Sequence, residues 1–505
     1  MADKFLHGVE VLEIDTGPRP IRTVRSGVIG IVGTAPNSAT ATAATLTLGR
    51  ASDDTGITLT ADTAGLAGNQ ISIALVDPAA NSATLAVAVS GNAITVTLAT
   101  DASGVITSTA GDVIDAINGD GDASALVTAA DLTGSDGTGL AKATGVSRFL
   151  AGGADEPFPL NTPKLVAGSR GEAAALGTAG TLGNALDGIF DQIGAAVVVV
   201  RVAEGADEAA TIANVIGGVN ATTGQLEGVH ALLGAESAVG VAPRILIAPG
   251  FTHQRDGGAN AVVAELAGIA ERMRAVIIAD GPNTTDEAAL AYRDDWGSDR
   301  IYVVDPWVKV FRDGVTVSEP ASARVAGVIA RTDNDLGFWW SPSNKLVNGI
   351  TGTSRDIDFK LGDVNSRANI LNENEVTTII RQDGFRLWGN RTTSADPKWA
   401  FLSVRRTADI IAESLQQAHL WAVDRNITKT YVEDVTEGVN AYLRSLVNRG
   451  AILGGTCWPD PDLNSPANIA AGKVYFNFDF TPPYPAEHIT FRSQLVNTYI
   501  SEVFA

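Results

Sequence analysis

The chain contains very little cysteine and its histidines are scattered. Among 505 residues there is a single cysteine, Cys457, which excludes an intrachain disulfide and a cysteine-based zinc or iron–sulfur centre. The five histidines include no pair at metal-binding spacing. The sequence therefore predicts no metal and no cofactor, and Cys457, beside Trp458, is expected to be a small buried hydrophobic residue.

Long apolar runs and an excess of positive charge are also absent. The longest apolar run covers residues 195–200, whereas a helix needs roughly 20 residues to span a bilayer, and the N-terminal residues are too charged for a secretory signal. The 57 acidic and 36 basic side chains give a formal charge of −21, while nucleic-acid binding requires clustered Lys and Arg. We expect a soluble protein made in a reducing cytoplasm, with neither a nucleic acid nor a membrane as its partner.

A block between residues 36 and 155 has a composition of its own. It carries 12 acidic and three basic side chains, and its one aromatic residue is Phe149. Residues 71–76 and 93–98 alternate like half-buried strands, and residues 109–118 suit a short helix. The pattern predicts a small β-rich α+β domain inserted over residues 36–155.

Short apolar runs alternate with helix-like segments in the next part of the chain. The runs cover residues 195–202, 244–248, 275–279 and 301–304, and the helix-like segments cover residues 261–274 and 285–296. This alternation is typical of β-α-β units and predicts an α/β fold with a mainly parallel sheet. We assign it to a middle domain over residues 156–345, and residues 21–35 to the start of the same body.

Large aromatic side chains gather toward the C-terminus. All seven tyrosines lie beyond residue 290, and all eight tryptophans lie between residues 296 and 458. We therefore predict an aromatic-rich core domain over residues 346–485. One helix face there carries Ile411 and Leu415, and a second predicted helix runs from Val435 to Val447 and stops at Gly450.

Both ends of the chain show strand patterns detached from the body. Near the start Val9 and Val11 alternate with other residues, and after the prolines of residues 482–485 a second alternation runs through Ile489 and Phe491. A detached terminal strand is suited to pairing with the sheet edge of another molecule. We predict extended arms over residues 1–20 and 486–505.

An α/β sheet is also compatible with an enzyme, which is the alternative to a structural protein. Open α/β sheets bind ligands at the carboxyl ends of their strands, where Asp280 and Asp305 follow predicted strands and are able to hold a metal or act as a base. An aspartate in that position also caps a helix or fixes a turn, and we favour this structural role. No nucleophile elbow or phosphate loop accompanies them.

Five ordered segments resemble one protein family. They are HGVEVLEI at residues 7–14, FPLNTP at 158–163, VAPRIL at 241–246, TIIRQDGFRLWGNRT at 378–392 and AHLWAVD at 418–424. Together they are similar to the tail sheath proteins of contractile-tailed bacteriophages and R-type pyocins, over residues 1–35 and 156–505. The block at residues 36–155 departs from the simpler members of this family.

The resemblance implies a structural subunit and not an enzyme. Such a protein polymerises as a helical sheath around the inner tail tube and shortens irreversibly from a metastable state, either to deliver a genome or, in a pyocin-like particle, without genome delivery. The implied partners are further copies of the chain, the tube protein, and baseplate and tail terminator proteins. The implied location is the virion tail, after assembly in the host cytoplasm.

The resemblance also directs attention to particular residues. Because terminal arms exchange strands in this family, we expect intersubunit contacts from Val9, Val11, Ile14, Ile489, Phe491 and Leu495. A tube-facing surface is expected at Arg405, Arg406, Arg425, Lys429, Arg444 and Arg449, which are alternatively ordinary solvated helix charges. The inserted domain is expected to face outward, and a host-binding module is the alternative for it.

Overall fold

The structure is a computed structural model that describes residues 20–255, 257–497 and 499–500. The chain divides into two compact units. The first consists of the described parts of Met1–Pro36, Leu160–Ala174 and Thr178–Ala505, and the second of Asn37–Pro159 and Ala175–Gly177. Both units mix helices and sheets, so the prediction of a multidomain protein with mixed α and β structure is confirmed.

The described residues form strands and helices throughout. In chain order the strands are β1 Ile29–Thr34, β2 Thr45–Leu48, β3 Ile57–Ala61, β4 Ser72–Val76, β5 Ala86–Ser90, β6 Ala93–Thr97, β7 Val127–Asp131, β8 Arg148–Phe149, β9 Lys164–Ala167, β10 Ala196–Val202, β11 Gly218–Val219, β12 Leu226–Glu227, β13 Ile245–Ile247, β14 Val276–Asp280, β15 Ile301–Val304, β16 Val308–Arg312, β17 Val315–Glu319, β18 Gly352–Thr353, β19 Val376–Arg381, β20 Phe385–Trp388, β21 Gly454–Pro459 and β22 Phe476–Thr481. The α-helices are α1 Ala110–Gly119, α2 Gly121–Ser124, α3 Arg170–Ala173, α4 Leu182–Phe190, α5 Glu208–Ile216, α6 Ala235–Val239, α7 Ala261–Met273, α8 Asp286–Asp294, α9 Ser322–Asp335, α10 Arg367–Glu373, α11 Leu402–Ala418, α12 Lys429–Asn448 and α13 Pro466–Ala470.

One eight-stranded sheet organises the first unit. Its strand order is β20-β19-β15-β14-β13-β1-β10-β9, with parallel pairing from β10 through β19 and antiparallel pairing at the two outer strands. The inner strands are runs of Val and Ile because helices and loops cover both faces, which leaves no solvent side for polar residues. The sheet continues through β19 and β20, so the middle part of the body extends beyond residue 345.

The second unit has a separate hydrophobic core. Two sheets, β2-β3-β7 and β5-β6-β4-β8, pack with α1 around buried side chains that include Leu59 and Val96. Thr109 caps α1 by accepting a hydrogen bond from the Asp112 backbone N–H, while the Asp112 carboxylate accepts from the Thr109 N–H. Phe149 remains exposed on the short edge strand β8. The two strands and the helix expected in this block are all present.

The C-terminal part of the first unit packs two helices against a β-ribbon. Side chains of α11 and α12 form a buried cluster with Phe338 and Ile452, against which Phe476 and Phe480 of β22 pack. Strands β21 and β22 pair antiparallel as a two-stranded sheet. Helix α12 ends as its sequence indicates, because Gly450 adopts a φ of 74° that other residues adopt less readily.

A network of ion pairs fixes α11 against the amino ends of the central strands. The carboxylate of Glu413 in α11 forms an ion pair at 2.9 Å with Arg244, which precedes β13. The carboxylate of Asp409 forms an ion pair at 2.7 Å with Arg300, which precedes β15. The side chains of Arg300 and Asp409 are 7% and 5% exposed. The α/β sheet and the C-terminal helices therefore belong to one unit, and no separation divides them at residue 345.

Two buried aspartates at the carboxyl ends of β14 and β15 support the fold. Asp280 accepts hydrogen bonds from the backbone N–H of Ser322 at 2.8 Å and from its hydroxyl at 2.5 Å, so it satisfies the first free N–H of α9. Burial raises the pKa of Asp280 to about 6. Asp305 lies 2.7 Å from a guanidinium nitrogen of Arg355, and burial raises its pKa as well.

We predict that Asp280→Asn changes how stability depends on pH. Because the pKa of Asp280 is higher in the folded chain than in the unfolded chain, its ionisation between pH 4 and pH 6 disfavours the folded state, and stability is lost as pH rises. An amide does not ionise, so the variant does not lose this stability. The difference in unfolding free energy between the variant and the wild type should therefore shift in favour of the variant by up to about 3 kcal/mol between pH 4 and pH 7. Urea denaturation of the monomeric subunit at several pH values, followed by tryptophan fluorescence, measures this difference.

The matched control is Asp313→Asn, in the exposed turn between β16 and β17. It should unfold with the same pH dependence as the wild type. Parallel pH profiles for Asp280→Asn and the wild type would contradict the assignment of a raised pKa to Asp280.

Candidate assembly interface

The segment that follows β22 exposes a row of large apolar side chains. Residues 482–497 contain no helix or strand, and Ile489, Phe491 and Leu495 are 67%, 93% and 97% exposed. Single exposed apolar residues are ordinary, whereas several on one segment are typical of interaction sites. These three predicted residues are thus accessible to a neighbouring molecule.

The ribbon from which this segment emerges has two unlike edges. On β21, the side-chain amide of Asn440 donates to the Cys457 carbonyl at 3.0 Å, and its oxygen accepts from the Cys457 N–H at 2.8 Å, so this edge is partly occupied. Within the described chain no strand pairs with the other side of β22. Cys457 is buried, as expected. The edge of β22 is consequently open to an additional strand.

The N-terminal chain approaches the same part of the molecule. Ile21 and Val24 pack against the cluster formed by α11 and α12, and the Val24 N–H donates to the Ser414 hydroxyl at 3.0 Å. The N-terminal chain therefore packs against the same helix cluster as β22, from which the C-terminal segment emerges, and the sequence did not indicate this. The predicted contacts Val9, Val11 and Ile14 lie outside the described residues.

Two of the six predicted tube-facing residues are unavailable to a partner. Arg406 pairs with Asp333 of α9 at 2.5 Å, and the two side chains are 5% and 4% exposed. Arg405 is 15% exposed, pairs with Asp409 and Asp299, and lies over the Trp399 ring. Both arginines hold α11 in place, so they are removed from the candidate surface.

The other four basic residues are exposed but have local partners. The guanidinium of Arg425 lies 4.9 Å from the Trp421 ring centre, and that of Arg449 lies 5.4 Å from the Trp339 ring centre. Lys429 and Arg444 each face a glutamate of α12. This arrangement is typical of a solvated helix, and it leaves these four side chains accessible to another protein.

The crevice that an α/β enzyme would use is filled by the chain itself. Strand β1 has β10 on one side and β13 on the other, so the strand order reverses there and a ligand site would lie at the carboxyl ends of β1 and β13. Thr181 occupies this position, because its N–H donates to the Thr34 carbonyl at 2.9 Å and its hydroxyl accepts from the Thr34 N–H at 3.2 Å.

The two aspartates of the enzyme alternative are also inaccessible. Asp280 and Asp305 are both 0% exposed, and each is committed to the structural contacts described above. Among the described residues, no group of three His, Cys, Asp or Glu side chains is placed to hold a metal ion. None of the helices in the described ranges has the length and hydropathy of a bilayer-spanning segment.

We predict that Arg406→Ala destabilises the subunit strongly. The substitution leaves Asp333 buried without its partner, which costs about 3–5 kcal/mol for such pairs. Arg444→Ala is the matched control, since Arg444 and its partner Glu437 are both 60% exposed, and exposed pairs contribute about 0–1 kcal/mol. Urea denaturation of the monomer measures both values, and equal losses would show that Arg406 is not a structural residue.

Comparison with known families covers most of the first unit. Residues 224–393 match the model of the phage tail sheath protein central domain, and residues 394–496 match that of the phage tail sheath C-terminal domain. The boundary between the two models lies after β20, in agreement with a sheet that extends beyond residue 345.

Several curated relatives are similar in sequence. A putative prophage major tail sheath protein of Pseudomonas aeruginosa (strain UCBPP-PA14) is 45% identical over 361 residues, which cover 71% of this chain and 92% of the relative. The tail sheath protein of Escherichia phage P2 is 37% identical, covering 69% of this chain and 88% of the relative. The tail sheath protein of Burkholderia phage BcepMu is 31% identical and covers 99% of this chain and 98% of the relative.

A solved structure shares the fold. The helical sheath of the anti-feeding prophage in its contracted state aligns with a TM-score of 0.52 at 22% sequence identity, covering 66% of this chain and 88% of that chain. The fold, the two family models and the sequence relatives agree, and the chain belongs to the phage tail sheath protein family.

Proposed function

We propose that this chain is the repeating subunit of a helical, contractile tail sheath, held together by exchange of its terminal strands. The observation that carries the proposal is the exposed apolar row of residues 489–495, which follows along the chain from β22, a strand with an open edge. Within the described chain, one subunit therefore has an exposed apolar segment that pairs with no sheet, and a sheet edge that pairs with no further strand. Because the open edge and the apolar segment belong to the same chain, the segment of each copy is able to pair with the edge of the next copy.

Strand pairing accounts for both adhesion and register. Ile489, Phe491 and Leu495 are at odd positions, so they share one face of an extended strand. Main-chain hydrogen bonds to a neighbour's sheet edge supply adhesion, and the alternate side chains fix the register. Burying each large apolar side chain contributes about 1.5–3 kcal/mol. At the other end of the chain, Val9, Val11 and Ile14 are proposed to make the corresponding contacts.

Such exchange builds a filament and not a closed ring. A contact between two different surfaces repeats without closing when the operation that relates the copies is a screw. Contraction then requires two packings of the subunits that differ in free energy, with a barrier that traps the first. The free energy stored in the assembled state performs the work, so no nucleotide hydrolysis is needed.

Within the tail the sheath is proposed to surround an inner tube and to drive it through the host envelope for genome delivery. Its other partners are proposed to be the baseplate and the tail terminator, with assembly in the host cytoplasm. The four exposed basic residues Arg425, Lys429, Arg444 and Arg449 are the candidates for tube contact. Exposed charge pairs contribute about 0–1 kcal/mol each, so a tube held in this way is easily released.

The second unit is proposed to be an outward-facing addition that the sheath does not require. Relatives such as the P2 protein cover about two thirds of this chain but most of their own length. In the first unit, Arg201 of β10 lies beside Gly33 of β1 on one side and beside Leu160 on the other. Gly33 and Leu160, which flank the main insertion, are therefore only about two strand spacings, or about 10 Å, apart.

We predict that Phe491→Glu combined with Leu495→Glu abolishes sheath formation. Both side chains are almost fully exposed in the single subunit, so the variant should fold normally, whereas a carboxylate buried in an exchanged strand is strongly disfavoured. Negative-stain electron microscopy should show rods or tubes for the wild type and only single subunits for the variant. Circular dichroism confirms that the variant is folded.

The matched control places two carboxylates at exposed apolar positions elsewhere. Val219→Glu combined with Val315→Glu changes residues that are 66% and 58% exposed, and this variant should still form rods. Normal rods from the arm variant would refute strand exchange by the C-terminal segment. Normal sheaths from a chain lacking residues 1–15 would refute it for the N-terminal segment.

We predict that a chain with residues 38–158 replaced by a linker of about four residues still assembles. Together with the retained residues 34–37 and 159, a four-residue linker is long enough to join Gly33 to Leu160 across about 10 Å, since an extended chain advances about 3.3 Å per residue. Rod formation, measured by electron microscopy, and the helical rise should match those of the full chain. A shortened chain that folds but forms no rods would show that the second unit makes essential contacts.

A further inference from the structure

The first residues of the C-terminal segment are fastened to the body at one place. The guanidinium of Arg391 donates to Glu487 through two nitrogens, with Nε 2.8 Å from Oε1 and Nη2 2.6 Å from Oε2. This parallel, two-point geometry fixes the direction of a carboxylate as well as its distance. An arginine provides it and a lysine does not.

Arg391 is itself held in position by its surroundings. Its backbone forms an antiparallel bridge with Phe401, immediately before α11, and its guanidinium lies 5.2 Å from the centre of the Phe401 ring. The flanking residue Thr392 donates its N–H to the Ala400 carbonyl at 2.8 Å. The body thus presents a rigid platform of one arginine and one aromatic ring.

The segment touches the same platform at a second point. The ring of Tyr484 meets the Phe401 ring edge to face, with centres 6.3 Å apart. Pro482, Pro483 and Pro485 restrict the backbone between β22 and Glu487, because proline fixes φ and donates no hydrogen bond. Residues 482–487 therefore leave the ribbon along one restricted path.

Beyond Glu487 the fastening ends. Within the described chain, no hydrogen bond joins residues 489–497 to the body, and the exposed fraction rises to 93% at Phe491 and 97% at Leu495. The boundary between the anchored and the free part of the segment falls directly after the Arg391–Glu487 pair.

We propose that Arg391 and Glu487 form a latch that aims the C-terminal segment at the neighbouring subunit. This inference rests on the proposed strand exchange and adds the residues that direct it. A tethered strand reaches its acceptor most often when its linker is short and correctly oriented, since the effective concentration at the acceptor falls as the free length increases. Opening the latch frees residues 482–487 and lowers that concentration.

The first measurement concerns the single subunit and does not depend on assembly. Spin labels at Ser493→Cys and Asn448→Cys, in a Cys457→Ala background, report the distance between the segment and the end of α12. Pulsed dipolar spectroscopy at a concentration below that of sheath formation should give a narrow distance distribution for the latched chain. Glu487→Gln should broaden it at least twofold, and an unchanged distribution would overturn the latch.

The second measurement is the lowest protein concentration at which rods form. Glu487→Gln should raise this concentration about tenfold, and the exchanged pair Arg391→Glu with Glu487→Arg should recover most of the loss. Asp295→Asn is the matched control, because Arg255 and Asp295 form the same two-point pair at 2.6 and 2.9 Å on the body surface. This control should leave both measurements unchanged.

The results separate the latch from strand exchange itself. A broadened distribution with unchanged assembly, while Phe491→Glu with Leu495→Glu still blocks rods, would overturn the aiming role and leave strand exchange intact. Normal rods from the Phe491 and Leu495 variant would instead refute strand exchange, whatever the distance distribution shows.

Discussion

The ion pairs that hold α11 against the amino ends of the parallel strands are the interaction on which the rest of the first unit depends. Asp409 and Glu413 project from successive turns of one helix and meet Arg300 and Arg244, which precede two strands of the sheet. Because these charges are buried, any displacement of the helix would leave uncompensated charge in the interior. The pairs therefore permit one placement of α11 and disfavour all others.

The position of α11 in turn positions residues near both ends of the described chain. The apolar face of α11 forms the cluster that receives α12, the β22 phenylalanines and the N-terminal residues Ile21 and Val24. In a subunit built in this way, the C-terminal helices are held in one position against the sheet. Residues near both ends of the described chain therefore pack against one cluster.

Buried and exposed arginines have different roles in the first unit. Arg406 forms a buried ion pair, while Arg444, on the neighbouring helix α12, forms an ion pair that is exposed to water. The sequence shows both as arginines on helices and offers no means of telling them apart. Burial converts one into a structural residue and leaves the other accessible, because the cost of separating a pair depends on how much water surrounds it.

Sequence alone determined the elements with a local cause. Runs of Val and Ile set the inner strands, the odd-position apolar residues after the prolines set the C-terminal segment, and five ordered segments identified the family. What only the tertiary structure decided was which distant residues meet. Asp280 caps a helix that begins 42 positions later, β19 and β20 complete a sheet begun at residue 29, and Arg391 meets Glu487 across 96 positions. Such pairs leave no periodic trace in a single sequence, since a pattern of apolar spacing reports which face of an element is buried and not what covers it.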